Sequence, residues 1–264
     1  MAAGPEEIYA RTREEGRRRL ERPLLEVVAT AFAAGFDIVA GVAFLAVVAA
    51  GLRPHFGTDA AHVGGGVVFG VGFVFLIVGR GELFTENFLV PLAGLDGKEK
   101  SAWRKLAELW TVSPLFNIAG GGLVAVLLTV HGVLPEGSGH AVVELGQKIH
   151  ANHPLALFVS AIFAGALITA MTWFVEGQES VGVRVAVAWA TGSFLALASL
   201  NHVIVVTIEL TFAIRFGAHI PWIFVVWNFG LAAGGNMLGG IGLVTLTRFA
   251  QARAKGGGEQ AGSG

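Results

Sequence analysis

Residues 117–124 read NIAGGGLV, and residues 236–244 read NMLGGIGLV. Each stretch begins with an asparagine, has a glycine three residues later and lies in a long apolar segment. Small residues spaced in this way let membrane helices pack with their backbones close together. A looser pair consists of AFAAG at residues 31–35 and AIFAG at residues 161–165. The two pairs are separated by 119 and 130 residues, which favours two related halves over chance similarity between glycine-rich helices.

The composition is typical of a protein embedded in a lipid bilayer. Of its 264 residues, 54% are hydrophobic and 14% are charged, whereas a soluble domain carries about 25% charged residues. Cysteine is absent from the sequence, which excludes disulfides, thiolate metal sites and a cysteine nucleophile. The net charge of −1 gives no indication of a nucleic-acid partner.

Apolar segments divide the chain into membrane spans, each of which needs roughly 20 residues to cross the hydrocarbon core. We predict an all-α membrane protein with six transmembrane spans, at residues 24–51, 63–93, 109–131, 154–175, 184–217 and 221–248. Three spans per half means that the halves insert with opposite topology, which is the inverted 3+3 repeat of many transporters. The membrane domain covers residues 24–250. A polar N-terminal arm (1–23) precedes it, and a glycine-rich tail (251–264) that we predict to be disordered follows it.

Positively charged residues indicate how the spans are oriented. Fifteen of the 18 Lys and Arg residues fall on the side of the N-terminal arm, whereas Arg53, Lys148 and Arg215 fall on the other side. Cytoplasmic segments of membrane proteins carry the excess of Lys and Arg. We therefore predict a multi-pass protein of the cell (inner) membrane with both termini in the cytoplasm.

Spans two and five contain polar interruptions. Span two holds GRGELFTEN at residues 79–87, and span five holds SLNH at residues 199–202. Interruptions at corresponding places in two halves are the best sequence indication of a binding site near the bilayer midplane. The alternatives are a short re-entrant helix in span two and an unbroken, tilted helix in span five.

Several of these features together resemble the formate/nitrite transporter family: Leu83-Phe84-Thr85 after a glycine-rich approach, His202 in the middle of span five, and the paired Asn117 and Asn236. The likeness covers about residues 24–250. It implies an aquaporin-like fold with inverted repeats and a homopentamer in the lipid bilayer with a separate pore through each protomer. It also implies that the pore passes small monovalent anions of weak acids, such as formate, nitrite or hydrosulfide.

The resemblance implies roles for individual residues. His202 matches the family's central histidine, which attracts or protonates the anion, and Thr85 matches the threonine that faces it. Two hydrophobic constrictions are implied, one formed by Leu83 and Phe84 with Phe69 or Phe73, and the other by Leu195 with Ile168 or Leu167. Arg184 stands where the family usually has a lysine. Asn201, a further pore candidate, and Val206 stand where the family commonly has glutamate and asparagine, and these departures leave the substrate open.

Three ionisable residues lie well inside the predicted spans and away from the interruption of span two, where such groups are functional candidates by default. Besides His202, these are Asp37, midway along span one, and Glu209, which follows His202 by seven residues and therefore shares its helix face. Both acids could relay protons or select solutes, or they could pair with Arg184, Arg215 or an amide. Acidic groups in a pore repel anions. A pore of similar fold for a neutral or cationic solute is therefore the alternative function.

The other polar residues in the spans favour structural roles. Asn117 and Asn236 are predicted to hydrogen-bond the interrupted backbone, which must be satisfied within the membrane. A membrane enzyme or cofactor protein is a third possibility, but haem needs histidines at paired positions and a metal needs a cluster of ligands. His202 is the only histidine that lies deep in a predicted span. We therefore predict that the protein is not an enzyme and binds no cofactor or metal.

Overall fold

A computed structural model describes residues 3–95 and 99–261, and the regular secondary structure of this part of the chain is helical throughout. A 3₁₀ turn, Phe84–Phe88, follows helix α2, and a π-helical segment, Leu238–Thr245, joins the last two helices. The α-helices are α1 Pro5–Glu21, α2 Leu24–Gly79, α3 Val90–Gly94, α4 Lys100–Leu128, α5 Ser138–His150, α6 Pro154–Glu176, α7 Val181–Leu197, α8 Val203–Arg215, α9 Trp222–Met237 and α10 Leu246–Ala261.

The outer surface is apolar enough for a bilayer. Large hydrophobic side chains point outward, among them Leu25 at 78% exposure and Ile223 at 74%. Exposed apolar surface of this kind marks contact with lipid or with another subunit. Four helical stretches are long and apolar enough to cross a membrane by themselves: Leu24–Gly79, Lys100–Leu128, Pro154–Glu176 and Trp222–Ala254.

Helix α2 consists of two antiparallel halves that meet at Gly57. This glycine is the non-helical residue within α2, with φ +81° and ψ −178°, and a positive φ is easily adopted only by glycine. The halves pack backbone to backbone, because a Cβ on Gly41 would lie 3.2 Å from the Cα of Gly72. The predicted polar break at residues 53–62 is therefore too long. It shrinks to one residue because a single glycine suffices to reverse the chain, and the flanking residues keep their helical hydrogen bonds.

Both predicted interruptions are present in the structure. In the first half, α2 ends at Gly79, and the non-helical residues 80–83 lead into the 3₁₀ turn. In the second half, residues 198–202 separate α7 from α8. Arg80 and Ser199 occupy equivalent places in the two breaks. Each adopts the left-handed conformation, with φ of 55° and 50°, and they are the non-glycine residues of the described part that do so.

Backbone hydrogen bonds repeat between the two breaks. The amide of Gly81 donates to the carbonyl of Leu76 over 2.9 Å, and the amide of Leu200 donates to the carbonyl of Leu195 over 3.0 Å. Both pairs of equivalent residues are 119 residues apart, which is the offset between the two asparagine motifs. The two halves are therefore structural repeats, as their sequences predict.

Glycines of the looser motif pack against the asparagine motif in each half. A Cβ on Gly35 would lie 2.0 Å from the carbonyl oxygen of Asn117, and a Cβ on Gly165 would lie 2.1 Å from that of Asn236. No side chain fits at such distances, so the first and third helices of each repeat touch backbone to backbone. The sequence likeness that defines the repeat thus records a close helix crossing.

Two stretches that were predicted to be irregular are helical. The segment between spans three and four (132–153) contains α5, which buries Val142 and Ile149. This apolar face explains why the segment folds onto the membrane domain rather than remaining a solvated loop. Helix α10 continues through Ala261 where a disordered tail was predicted from residue 251. Residues 250–255 (AQARAK) favour helix, whereas the three glycines at 256–258 do not, and local propensity gives no account of the helix beyond them. Residues 262–264 lie outside the described residues.

Candidate solute pathway at the two helix breaks

The centre of the molecule contains a buried pair formed by His202 and Thr85. His202 precedes α8 as its N-cap, and its Nδ1 accepts the backbone N–H of Val205 at 3.3 Å. Its Nε2 lies 2.8 Å from Thr85 Oγ1, and both side chains are fully buried. The predicted contact between the two breaks is therefore present. Because Nδ1 accepts, a neutral ring carries its proton on Nε2 and donates to Thr85, whose own hydroxyl proton is then free to bind a solute.

Asn117 holds the first break in place. Its Nδ2 donates to the carbonyls of Ala31 (2.8 Å) and Glu82 (2.9 Å), while its Oδ1 accepts the N–H of Phe84 at 2.9 Å. One amide side chain thus satisfies two backbone groups of the break, the carbonyl of Glu82 and the N–H of Phe84, and also bonds the carbonyl of Ala31 within α2. Burying those groups without partners would be costly in an apolar environment.

Asn236 repeats the same three bonds at the second break. Its Nδ2 donates to the carbonyls of Ala161 (2.7 Å) and Asn201 (3.1 Å), and its Oδ1 accepts the N–H of Val203 at 2.9 Å. These partners are equivalent to those of Asn117 by the 130- and 119-residue offsets. The predicted hydrogen bonds of both asparagines to the interrupted backbone are present.

Carboxylates at the first break bind protein groups. Glu86 Oε2 accepts the N–H of Leu83 at 3.0 Å and so caps the 3₁₀ turn. Glu82 accepts from the Nδ2 of Asn87 at 2.9 Å and forms an ion pair with Arg22, the residue that follows α1. The polar arm is thereby attached directly to the segment that carries Thr85.

The second break uses an amide pair where the first uses a carboxylate. Asn201 donates to Asn228 Oδ1 at 2.9 Å and to the carbonyl of Leu157 at 3.2 Å, and it accepts from Asn228 Nδ2 at 3.0 Å. Only 2% of Asn201 is exposed. Protein groups therefore occupy its donors and its acceptor, and the structure gives Asn201 a structural position rather than a place facing a solute.

Apolar candidates for the two constrictions belong to one buried core. Its members include Leu83, Phe84, Phe69, Phe73, Leu195 and Ile168. Phe73 packs against α7, since a Cβ on Gly192 would lie 2.7 Å from its ring. Leu167 is only partly buried and borders this core, so Ile168 is the buried alternative of the two. The predicted residues thus belong to one connected apolar core.

Two cavities approach the buried pair from opposite ends of the molecule. We name the first the α5 vestibule. It has about 280 Å³ and is lined by residues of α2, α5, α7 and α8, including Leu195, Leu200 and Glu209. The second, the α1 vestibule, has about 270 Å³, and its lining includes Leu76, Glu82 and the arginines of α1. Neither vestibule is lined by His202 or Thr85, and the buried side chains of Leu195, Leu200 and Val206 line the α5 vestibule.

Comparison with known proteins identifies the family. The family model described as formate/nitrite transporter matches residues 6–250. The chain belongs to the formate/nitrite transporter family. It is 28% identical over 250 residues to the inner membrane protein YfdC of Escherichia coli, covering 93% of this chain and 78% of YfdC. It is 25% identical over 248 residues to the formate channel BtFdhC of Bacillus thuringiensis, covering 93% and 94%. These relatives include transporters and channels.

Solved structures show the same fold. A pentameric formate channel with formate bound superposes with a TM-score of 0.72 at 19% identity, over 86% of this chain and 96% of that one. An ion channel of the same family superposes with a TM-score of 0.75 at 18% identity, over 93% and 97%. The predicted fold class of an all-helical membrane channel with broken spans is confirmed.

The charged candidates of this transporter lie in three different places. Arg184 lines the α1 vestibule, and its Nε donates to the carbonyl of Gln178 at 2.7 Å. Asp37 is half-buried beside the first break, where a Cβ on Gly81 would lie 3.1 Å from its Oδ2. Glu209 lines the α5 vestibule. Within the described part of the chain, Asp37 and Glu209 have no ion pair, so the suggested pairing with arginine is wrong there.

Sequence reasoning missed the arginines of α1 as part of the site. Arg19 Nη1 donates to Asn87 Oδ1 at 3.2 Å, and Arg18 donates to Glu15 at 2.8 Å. Burial by itself would raise the pKa of Glu15, but the hydrogen bond from Arg18 and the charge of Arg19 lower it overall. The available signal was the dense alternation of Arg and Glu in the first 22 residues, which is more than a solvated surface needs.

Proposed function

We propose that this family member passes small monovalent anions of weak acids, such as formate, through a pore in each subunit of a homopentamer. The observation that carries the proposal is the buried His202–Thr85 pair between two vestibules. Family membership, the relative named a formate channel and the fold of the pentameric formate channel support it.

The proposed mechanism follows from the cost of moving an anion through apolar surroundings. An unpaired charge in the low-dielectric centre loses its hydration, and that cost is several kcal/mol or more. A weak acid avoids the cost when it accepts a proton and crosses as a neutral molecule. We propose that His202 and Thr85 hydrogen-bond and protonate the solute, and that Leu83, Phe84 and Leu195 belong to the apolar constrictions that exclude unprotonated ions.

Arginines at the α1 vestibule support an anionic solute. Five arginines line that cavity, Arg18, Arg19, Arg22, Arg80 and Arg184, against four glutamates, Glu15, Glu82, Glu86 and Glu176, so positive charge is in slight excess. Positive charge around a cavity raises the local concentration of anions. We propose that these residues, with Arg184 in the place of the family's lysine, collect anions before the central pair.

One observation favours the alternative of a neutral or cationic solute. Glu209 is buried on the α5 side without a counter-ion among the described residues, and an acid in a pore repels anions.

The test of the proposed function is a flux panel in liposomes that contain the purified protein. Formate, nitrite and hydrosulfide should equilibrate quickly at acidic pH, while chloride should not, because chloride is the anion of a strong acid and cannot be neutralised by a proton. Urea serves as the neutral solute and ammonium as the cation. Rapid urea or ammonium flux with no formate flux would replace the proposed function by its alternative.

We propose six passes through the inner membrane, with both termini in the cytoplasm. Helix α2 would supply two passes, α4 and α6 one each, α7 with α8 one broken pass, and α9 with α10 the last. The two vestibules support this orientation. Five arginines line the α1 vestibule, which would face the cytoplasm, whereas only Arg53 and Lys148 carry positive charge in the lining of the α5 vestibule, which would face the opposite side. Similarity to the inner membrane protein YfdC supports the compartment.

Reporter fusions test this topology. A reporter after residue 264 should report the cytoplasm, and one inserted between Gly132 and Glu136, ahead of α5, should report the opposite side. Opposite locations require an odd number of membrane passes between the two insertion points, and the six-pass arrangement has three there. Both reporters on the same side would contradict the six-pass arrangement.

A further inference from the structure

Glu209 is a buried carboxyl group that nothing nearby neutralises. It lies on α8, is 6% exposed and points into the α5 vestibule. Among residues 3–95 and 99–261 it forms no ion pair and no hydrogen bond. A permanently ionised carboxylate at this place would have no protein group to offset its lost hydration.

Other charged groups of the α5 vestibule are either paired or exposed. Arg53 of α2 and Glu144 of α5 form an ion pair with each other. Helix α9 and the part of α4 after Glu108 carry no titratable side chain, and α7 contributes none to this cavity. The remaining titratable side chains that line the vestibule are exposed: Asp59, His62 and Lys148. Glu209 is thus the buried titratable group of the vestibule.

An apolar seal separates Glu209 from His202. Val205 and Val206 lie between them on α8, and Leu195 and Leu200 from the second break complete the lining. Each of these four side chains is buried. The seven residues from His202 to Glu209 span about 10 Å of helix. An anion that arrives from the α5 side therefore meets Glu209 first, then the seal, and only then His202.

The order of these groups matters for a weak acid. The desolvation cost arises at the seal, so the anion must be neutral before it reaches Val206. His202 lies beyond the seal and cannot meet that need for traffic from the α5 side. Its Nδ1 is also engaged by the amide of Val205, at the N-terminus of α8, where a positive charge is disfavoured by the helix dipole.

We propose that Glu209 is the proton donor for weak-acid anions that enter from the α5 side. The carboxylate takes a proton from vestibule water. It gives this proton to an oxygen of the incoming anion, so that the neutral acid crosses the seal and Glu209 returns to the carboxylate. One proton moves with each anion, and no other reactant is needed. This inference rests on the proposed function and adds a second site of proton transfer to it.

The experiment measures uptake of labelled formate into right-side-out membrane vesicles between about pH 5.5 and 7.5 in the medium, the range in which histidines and perturbed carboxyls titrate. Wild-type uptake should rise as the medium is acidified. Glu209→Gln keeps the size and polarity of the side chain but cannot donate a proton. Its uptake should fall about tenfold or more, and acid should no longer stimulate it. The control is Glu136→Gln, an exposed acid ahead of α5 on the same side, which should behave as wild type.

Glu209→Asp separates a loss of proton transfer from a loss of folding. It keeps the carboxyl with a shorter reach, so its uptake should be slower but still stimulated by acid. Uptake by Glu209→Gln that equals or exceeds that of wild type, with the same pH profile, overturns the inference alone. So does an intact Glu209→Asp oligomer that has lost its acid stimulation. Wild-type vesicles that take up no weak-acid anion would instead overturn the proposed function, and this inference with it.

Discussion

Replacing His202 by asparagine should reduce formate flux by about 100-fold or more, the usual contribution of a positioned proton donor or acceptor. Asparagine can still accept the N–H of Val205 and is a favoured N-cap, so α8 should keep its start. The amide cannot exchange a proton, and it is too short to reproduce the 2.8 Å contact with Thr85. The measurement is formate flux in liposomes as a function of pH, with the oligomer checked by size-exclusion chromatography.

The matched control for this variant is His131→Asn, because His131 is exposed between α4 and α5. It should transport at the wild-type rate. A pore for neutral solutes would also tolerate His202→Asn with a modest change. Wild-type rates with an unchanged pH profile in His202→Asn would therefore remove the central histidine from the mechanism, while leaving the family and the fold untouched.

Most of the fold was predictable because the internal repeat can be recognised from the positions of small residues in the sequence. Gly35 and Gly165 are required where helices cross with backbones in contact, and their spacing from Asn117 and Asn236 survives in the sequence. The breaks were predictable from polar residues that interrupt long apolar runs. The Thr85–His202 contact, by contrast, required the family resemblance, since nothing local brings together residues that are 117 positions apart.

Features that were missed depend on partners distant in the sequence. The sequence alone predicts Asn201 to be a pore residue. Only the structure shows that its side-chain amide is hydrogen-bonded to the facing Asn228. Helix α5 reads as a loop because its apolar face is short and divided by polar residues. Glu209 shows the opposite case. Its helix face was predicted from the seven-residue spacing, but the lack of a counter-ion could be recognised only after all neighbouring elements were in place.

Replacing Asn236 by leucine should prevent most of the protein from folding. The change removes three hydrogen bonds and leaves the carbonyl of Asn201 and the N–H of Val203 buried without partners, whereas the carbonyl of Ala161 keeps its helical bond within α6. Each of these two groups costs about 1–3 kcal/mol, so the total is about 2–6 kcal/mol. A domain is stable by only about 5–15 kcal/mol. The measurement is the yield and melting temperature of the detergent-solubilised oligomer.

The internal repeat provides a second test of this prediction, because each half of the molecule contains an equivalent asparagine. Asn117→Leu removes the equivalent three bonds at the first break and should be as damaging as Asn236→Leu. Asn228→Leu leaves the backbone of the break satisfied and disrupts only the amide pair with Asn201, so its effect should be intermediate. Asn152→Leu, at an exposed position before α6, is the control and should melt like wild type. If the Asn236→Leu and Asn152→Leu variants melted at the same temperature, the second break would be held by its apolar packing alone. Asn117 and Asn236 would then not be what holds Thr85 and His202 opposite each other.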